Sequence, residues 1–90
     1  MGRDQAENVA ISALGFIAGR PDDLGRFLAL SGIEPAGLRQ AASDPAFLGG
    51  LLEFVVSDEP LLLALAGEIG VEPATVPAAL HALRPSGDRS

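Results

Sequence analysis

The stretch Asp44-Pro45-Ala46-Phe47-Leu48-Gly49-Gly50-Leu51-Leu52-Glu53-Phe54-Val55-Val56 decides the fold. Plotted at ~100° per residue, Phe47, Leu48, Leu51, Leu52, Phe54, Val55 and Val56 sweep roughly 200° of arc, about twice the apolar stripe of an ordinary surface helix. A helix apolar over so wide an arc must be surrounded, so the other elements are expected to pack around it. The remaining sector holds Ala46, Gly49, Gly50 and Glu53, where a neighbouring backbone can come close. Each glycine there costs about 1 kcal/mol of helix stability relative to alanine. The stretch carries no recognisable chemistry, and a functional site is expected elsewhere.

Its boundaries follow from capping chemistry. Asp44 is a helix N-cap followed by Pro45, whose missing N–H costs nothing in the first turn. Ser57, Asp58, Glu59 and Pro60 stop the helix and start the next by the same device. In that next helix Leu61, Leu62, Leu65 and Ile69 form the buried arc and Gly70 closes it.

On the N-terminal side, Asp4 and Glu7 have capping-box spacing before an apolar periodicity, which places the start of the first helix at Asp4. Val9, Ala13 and Ile17 form one row and Ala6, Ala10 and Leu14 the next, a small-residue stripe suited to close packing. Gly19 should end that helix, and Pro21, Asp22 and Asp23 open the second, which runs to Ser31 with Leu24, Phe27 and Leu28 inward. Gly32 is expected as a left-handed residue in a Schellman ending, with Ile33 folding back. Glu34 then caps a short third helix over about 35–42, with Ile33 and Leu38 as a hydrophobic staple. Val71, Glu72, Pro73 and Val76 repeat this corner ahead of the last helix, which Pro77 should either kink or force to begin near Thr75. Gly32-Ile33-Glu34-Pro35-Ala36 matches Gly70-Val71-Glu72-Pro73-Ala74 at a spacing of 38 residues. Solenoid arrays need about three repeats or more, so reuse of one capping solution explains the echo better.

Composition excludes several classes. Ninety residues support one core. Mean hydropathy is +0.32, yet the longest apolar run, 61–66, is far short of a membrane span. With no secretory leader pattern and no cysteine, a soluble cytoplasmic protein without disulfides or thiolate chemistry is the expectation. Twelve acids against six arginines, with no lysine, give a net charge of −6 that repels phosphate and anionic lipid, so nucleic acid and membranes are disfavoured partners. Tyr and Trp are absent, leaving Leu, Phe and Arg to build any interface.

The corner 65–76 has the turn glycine and apolar spacing of a helix-turn-helix, and 28–38 is a weaker copy. A recognition helix must present donors to base edges. The last helix offers little beyond Thr75 and His81, so Arg39 and Gln40 are the better candidate nucleic-acid contacts. His81 stands opposite the apolar face of its helix with no carboxylate at i±3 or i±4, so neither a metal site nor a general base is expected. The carboxylates cluster at helix starts, where capping explains them. Gly49-Gly50 lacks the Lys and Ser/Thr of a phosphate loop.

Gln5-Ala6-Glu7, Leu24-Gly25-Arg26-Phe27-Leu28, Gly32, Leu38-Arg39, Asp44-Pro45-Ala46-Phe47-Leu48, Asp58-Glu59 with Leu61-Leu62, Pro73 and Leu83 resemble a family of small alphaproteobacterial proteins grouped as a domain of unknown function. The likeness covers about 5–83. It implies an all-helical cytoplasmic protein with no assigned activity and so carries over no catalytic residues. Arg20, Pro60 and Pro77 depart from the family pattern, at the starts of three helices.

The sequence thus predicts an all-α protein, a compact orthogonal bundle of five to six short helices, with one domain over 4–84 and a flexible tail over 85–90. No catalytic residue, cofactor site or metal site is expected. The predicted function is a protein-interaction module, an adaptor or small regulator, with a helix-turn-helix DNA-binding regulator as the alternative. Leu63 falls off the buried stripe beside Ala66 and Gly67, and Leu30 lies at the margin of the second helix's core face. These four residues are either ordinary surface or a patch for self-association or an unknown protein partner.

Overall fold

Residues 1–83 are described by the computed structural model, and the tail expected over 85–90 lies outside them. Six α-helices form among these residues, with no strand: α1 (Arg3–Ala18), α2 (Pro21–Ser31), α3 (Leu38–Ala41), α4 (Pro45–Val56), α5 (Glu59–Ile69) and α6 (Thr75–Leu83). A 3-10 turn, Pro35–Gly37, precedes α3.

The opening stretch occupies the centre. On α4, Phe47, Leu48, Leu51, Leu52 and Val55 are buried, while Phe54 and Val56 are half-buried against the same core. The helix touches α1, α2, α5 and α6, as an arc of that width requires. Asp44 caps it, accepting the Ala46 N–H at 3.0 Å. Asp58 caps α5 in the same way, accepting the Leu61 N–H at 3.2 Å. The small-residue stripe of α1 is also realised: Ala6, Val9, Ala10, Ala13 and Ile17 are buried, and α1 lies mainly against α6 and α4. The Cα radius of gyration, 12.3 Å, matches the roughly 12 Å of a well-packed domain of this length.

Several helix ends differ from the sequence expectation. Helix α1 begins at Arg3 with Gly2 as N-cap, and Ala6 N–H reaches the Gly2 carbonyl at 3.0 Å. Asp4 therefore sits in the first turn without capping it. Glu7 lies 3.9 Å from Arg3, an i,i+4 pair that replaces the expected capping box. Helix α2 has Arg20 as N-cap with no side-chain cap, and its end gains negative charge from Asp22 and Asp23 instead.

The expected third helix, 35–42, is a 3-10 turn followed by one α-turn, because Gly37 N–H takes the Glu34 backbone carbonyl at 2.8 Å. Glu34 thus caps through its backbone, and its side chain makes no cap bond. Thr75 N–H takes the Glu72 carbonyl at 2.9 Å, so the two echoed corners share one geometry. Gly32 and Gly70 are left-handed in both, with φ of 74° and 73°. The Schellman bond forms at the second corner only, where Val71 N–H reaches back to the Ala66 carbonyl at 3.0 Å. At the first, Ile33 N–H turns to the Ser31 hydroxyl at 3.3 Å, leaving the simpler left-handed cap from Gly32 to Leu28. Helix α6 begins at Thr75, so Pro77 falls in the first turn, where its missing donor is harmless. The Pro73 carbonyl that Pro77 cannot reach is taken by Val76 N–H at 3.2 Å.

Candidate functional site

Three phenylalanines join α2 to α4. Phe27 on α2 meets the Phe47 ring edge-on at a centroid distance of 5.4 Å and 62°, and the Phe54 ring at 5.4 Å and 54°. Such pairs are worth about 0.5–1.5 kcal/mol each beyond their buried area, so they fix the relation of the two helices. Arg26 reinforces it from outside. Its guanidinium lies 5.2 Å above the Phe54 ring and binds Asp23 at 3.3 Å and Asp58 at 3.2 Å, tying α2 to the start of α5. The pairs are exposed and contribute at most about 1 kcal/mol, so they orient more than they stabilise.

Beside these rings a groove of about 560 Å³ opens between α2 and α4. Its volume falls within the ~300–1,000 Å³ of ligand-binding clefts. The phenylalanines and Ile33 supply its apolar wall, Leu30 stands at its α2 edge, and Ala46 and Gly50 face it from α4. Leu30 is 76% exposed, the most exposed of the large apolar side chains described. The polar groups lining the groove are Ser31, Asp44, Glu53 and Ser57, which include two acids and no base. The stretch expected to carry no site is therefore one wall of the candidate site.

The glycine pair takes on a different meaning here. A Cβ built at Gly49 or at Gly50 meets nothing within 4 Å, and neither residue has positive φ. Among the described residues no backbone approaches the helix there, contrary to the close internal packing that two glycines suggest. At Gly50 the missing side chain leaves space in the groove.

The predicted interaction surface does not hold together. Leu30 belongs to the groove, but Leu63, 50% exposed on α5, does not line it. Gly67 is exposed. Ala66 is a correction: it is 2% exposed, because a methyl group held close to the helix backbone is easily covered by its neighbours. Leu62 and Ile69, expected in the buried arc, are half-buried and packed against the core.

Arg39 and Gln40 are exposed on α3, a helix of 4 residues, too short to lie along a major groove. Arg3, Arg20 and Arg26 are engaged with carboxylates, which leaves Arg39 as the arginine without an ion pair among the described residues. His81 is exposed, and among the described residues no three His, Asp or Glu side chains converge as a metal site requires. No helix among them is long and apolar enough to cross a membrane.

A family model described as Protein of unknown function (DUF3572) matches residues 3–86. The chain belongs to that family. The DUF3572 match spans all six helices and both walls of the groove. No curated protein and no solved structure matches the chain. DUF3572 membership agrees with the sequence resemblance in one respect, a family of unknown function covering most of the chain, and brings no ligand or catalytic residue with it.

Proposed function

We propose that this DUF3572 protein is a small cytoplasmic protein-interaction module, an adaptor or regulator without catalysis, that receives a helix of a partner protein in the groove between α2 and α4. The observation that carries this reading is the pairing, across one groove, of a largely exposed leucine at position 30 with a side-chain-free position at Gly50 that nothing among the described residues fills. Burying Leu30 would contribute about 1.5–3 kcal/mol to association, and aromatic rings already fixed in place require little ordering on binding. Ala46 and Gly50 let a second helix axis approach to the near end of the usual ~8–10 Å range. The acidic net charge and the short α3 favour this reading over a helix-turn-helix DNA binder.

The test is cross-linking in native extract followed by reconstitution with the purified partner. The partner should bind the wild type and the Leu63→Glu variant, and be released by both Leu30→Glu and Gly50→Leu. A partner that binds all four alike contradicts the groove assignment. Tight duplex-DNA binding that weakens steeply with salt, lost in Arg39→Ala, would establish the alternative.

A further inference from the structure

Burial is shared unevenly along the chain. Helices α1, α4, α5 and α6 each bury several side chains, whereas between α1 and α4 Phe27 is the one buried residue. Leu24, Ile33, Leu38 and Ala41 of that connecting segment rest half-buried against the core. Phe27 acts as a plug: it is 4% exposed and seated between Phe47 and Phe54, with both ring centroids 5.4 Å away. Withdrawing that side chain would remove the segment's main apolar anchor. Arg26 adds a tether to Asp58 at 3.2 Å, but the pair is exposed, and such pairs contribute little.

The segment's own structure is weak. Helix α2 has 11 residues and no side-chain cap, and α3 has 4 residues and none either. Helices shorter than about 12–15 residues do not hold alone in water, so these depend on being docked. The other four helices cover one another: α4 touches α1, α5 and α6, and α1 lies against α6. Regions with few buried apolar contacts open locally before the whole domain unfolds. We infer that residues 21–43 form a strap, which detaches as a unit while α1, α4, α5 and α6 remain folded as a core.

The strap sets when the groove is available. Leu30, Ser31 and Ile33 line the groove from the strap, and Ala46, Phe47, Gly50 and Phe54 line it from α4. Release therefore removes one wall and bares the Phe47 and Phe54 rings. The inference rests on packing and goes beyond the interaction-module reading, which stands or falls separately.

The experiment is native-state hydrogen exchange, read by NMR on the full chain, in wild type, Gly25→Ala and Gly67→Ala. Both glycines are exposed positions inside helices, a Cβ at either meets nothing within 4 Å, and neither has positive φ, so both variants keep the fold. Alanine favours the helix by ~4- to 5-fold at each. Gly67 lies in α5, which stays folded when the strap opens. Gly67→Ala should therefore slow the α1 and α4 amides ~4- to 5-fold and leave the strap amides unchanged. Gly25→Ala should slow both sets, because α2 unfolds in either opening. In wild type the α2 amides should share one opening constant with those of Gly32 and Ala42, which donate to the Leu28 and Leu38 carbonyls at 2.9 Å. That constant should exceed the one for α4 by ~10-fold or more and rise with urea.

Two results would overturn the strap. If Gly67→Ala slows α2 as much as α4, the domain opens as one unit. If the strap amides exchange at unequal rates without urea dependence, α2 and α3 fray separately and no strap exists.

Discussion

Replacing both Gly49 and Gly50 with alanine should make this protein more stable. Glycine inside a helix costs about 0.8–1.0 kcal/mol relative to alanine, largely through the greater backbone freedom it has when unfolded. Two conditions must hold for that gain to be realised: the new methyls must fit, and the backbone must already be one alanine adopts. Both are met here, since neither Cβ meets anything within 4 Å and the positive-φ glycines are Gly32 and Gly70 alone among the described residues. The sum is about 1.6–2 kcal/mol, and at roughly 4–8 °C per kcal/mol for a domain of this size Tm should rise by about 6–16 °C. Thermal melts followed by far-ultraviolet circular dichroism, wild type against Gly49→Ala/Gly50→Ala, measure it. An unchanged or lowered Tm would refute the reasoning, because it would mean that the glycines serve the fold and that the Gly50 side of the groove is not open.

Gly32→Ala and Gly70→Ala should move the other way, each lowering stability by about 1–2 kcal/mol in urea titration, because both residues hold left-handed backbone that a Cβ strains. Asp58→Ala should cost about 1 kcal/mol through the lost α5 cap, whereas Asp58→Asn should retain most of it; equal losses would show that the Arg26 ion pair dominates. Leu63→Glu should fold with stability within about 0.5 kcal/mol of wild type, while Ala66→Glu, a charge forced into the core, should unfold the chain; circular dichroism separates the two. Leu51→Ala should cost about 2–5 kcal/mol, a large share of the ~5–15 kcal/mol available to a small domain, and a loss under 1 kcal/mol would contradict its place at the centre of the core.

The fold was legible because its main determinants are local. The 200° arc of α4 names the residues that are then found buried or half-buried against the core, and Asp44 and Asp58 stand one and two residues before prolines with their first-turn donors within reach. Pro77 was legible as a choice between two outcomes, and the short bond from Val76 to Pro73 shows which one the chain takes. Less legible were the ends where two acceptors compete for one donor. At Glu34 and Glu72 the backbone carbonyl, already aligned by the following proline, wins over the longer carboxylate side chain. At Asp4 the N-cap falls two residues earlier, at Gly2, and Glu7 finds Arg3 in place of the N-terminal amide.

The candidate site was written in the sequence only in halves. Leu30 was visible as a leucine at the margin of its helix's core face, and Ala46, Gly49, Gly50 and Glu53 as the bare sector of α4. Their meeting is a tertiary event, set by Phe27 lodging between Phe47 and Phe54, and no periodicity on either helix encodes it. Helical spacing also placed Ala66 beside Leu63 on the surface. It could not anticipate the burial of Ala66, because what covers a methyl group is decided by tertiary packing and not by spacing along one helix.

The groove's role is tested most directly by titrating the isotope-labelled protein with the helix of a partner identified by cross-linking and following backbone amide signals by two-dimensional NMR. The groove account predicts saturable shifts concentrated at Leu30, Ser31, Ala46, Gly50 and Ser57, abolished in Gly50→Leu. Shifts centred on Arg39 and Gln40, on Leu63 and Gly67, or along α6, with the groove amides unmoved, would contradict it.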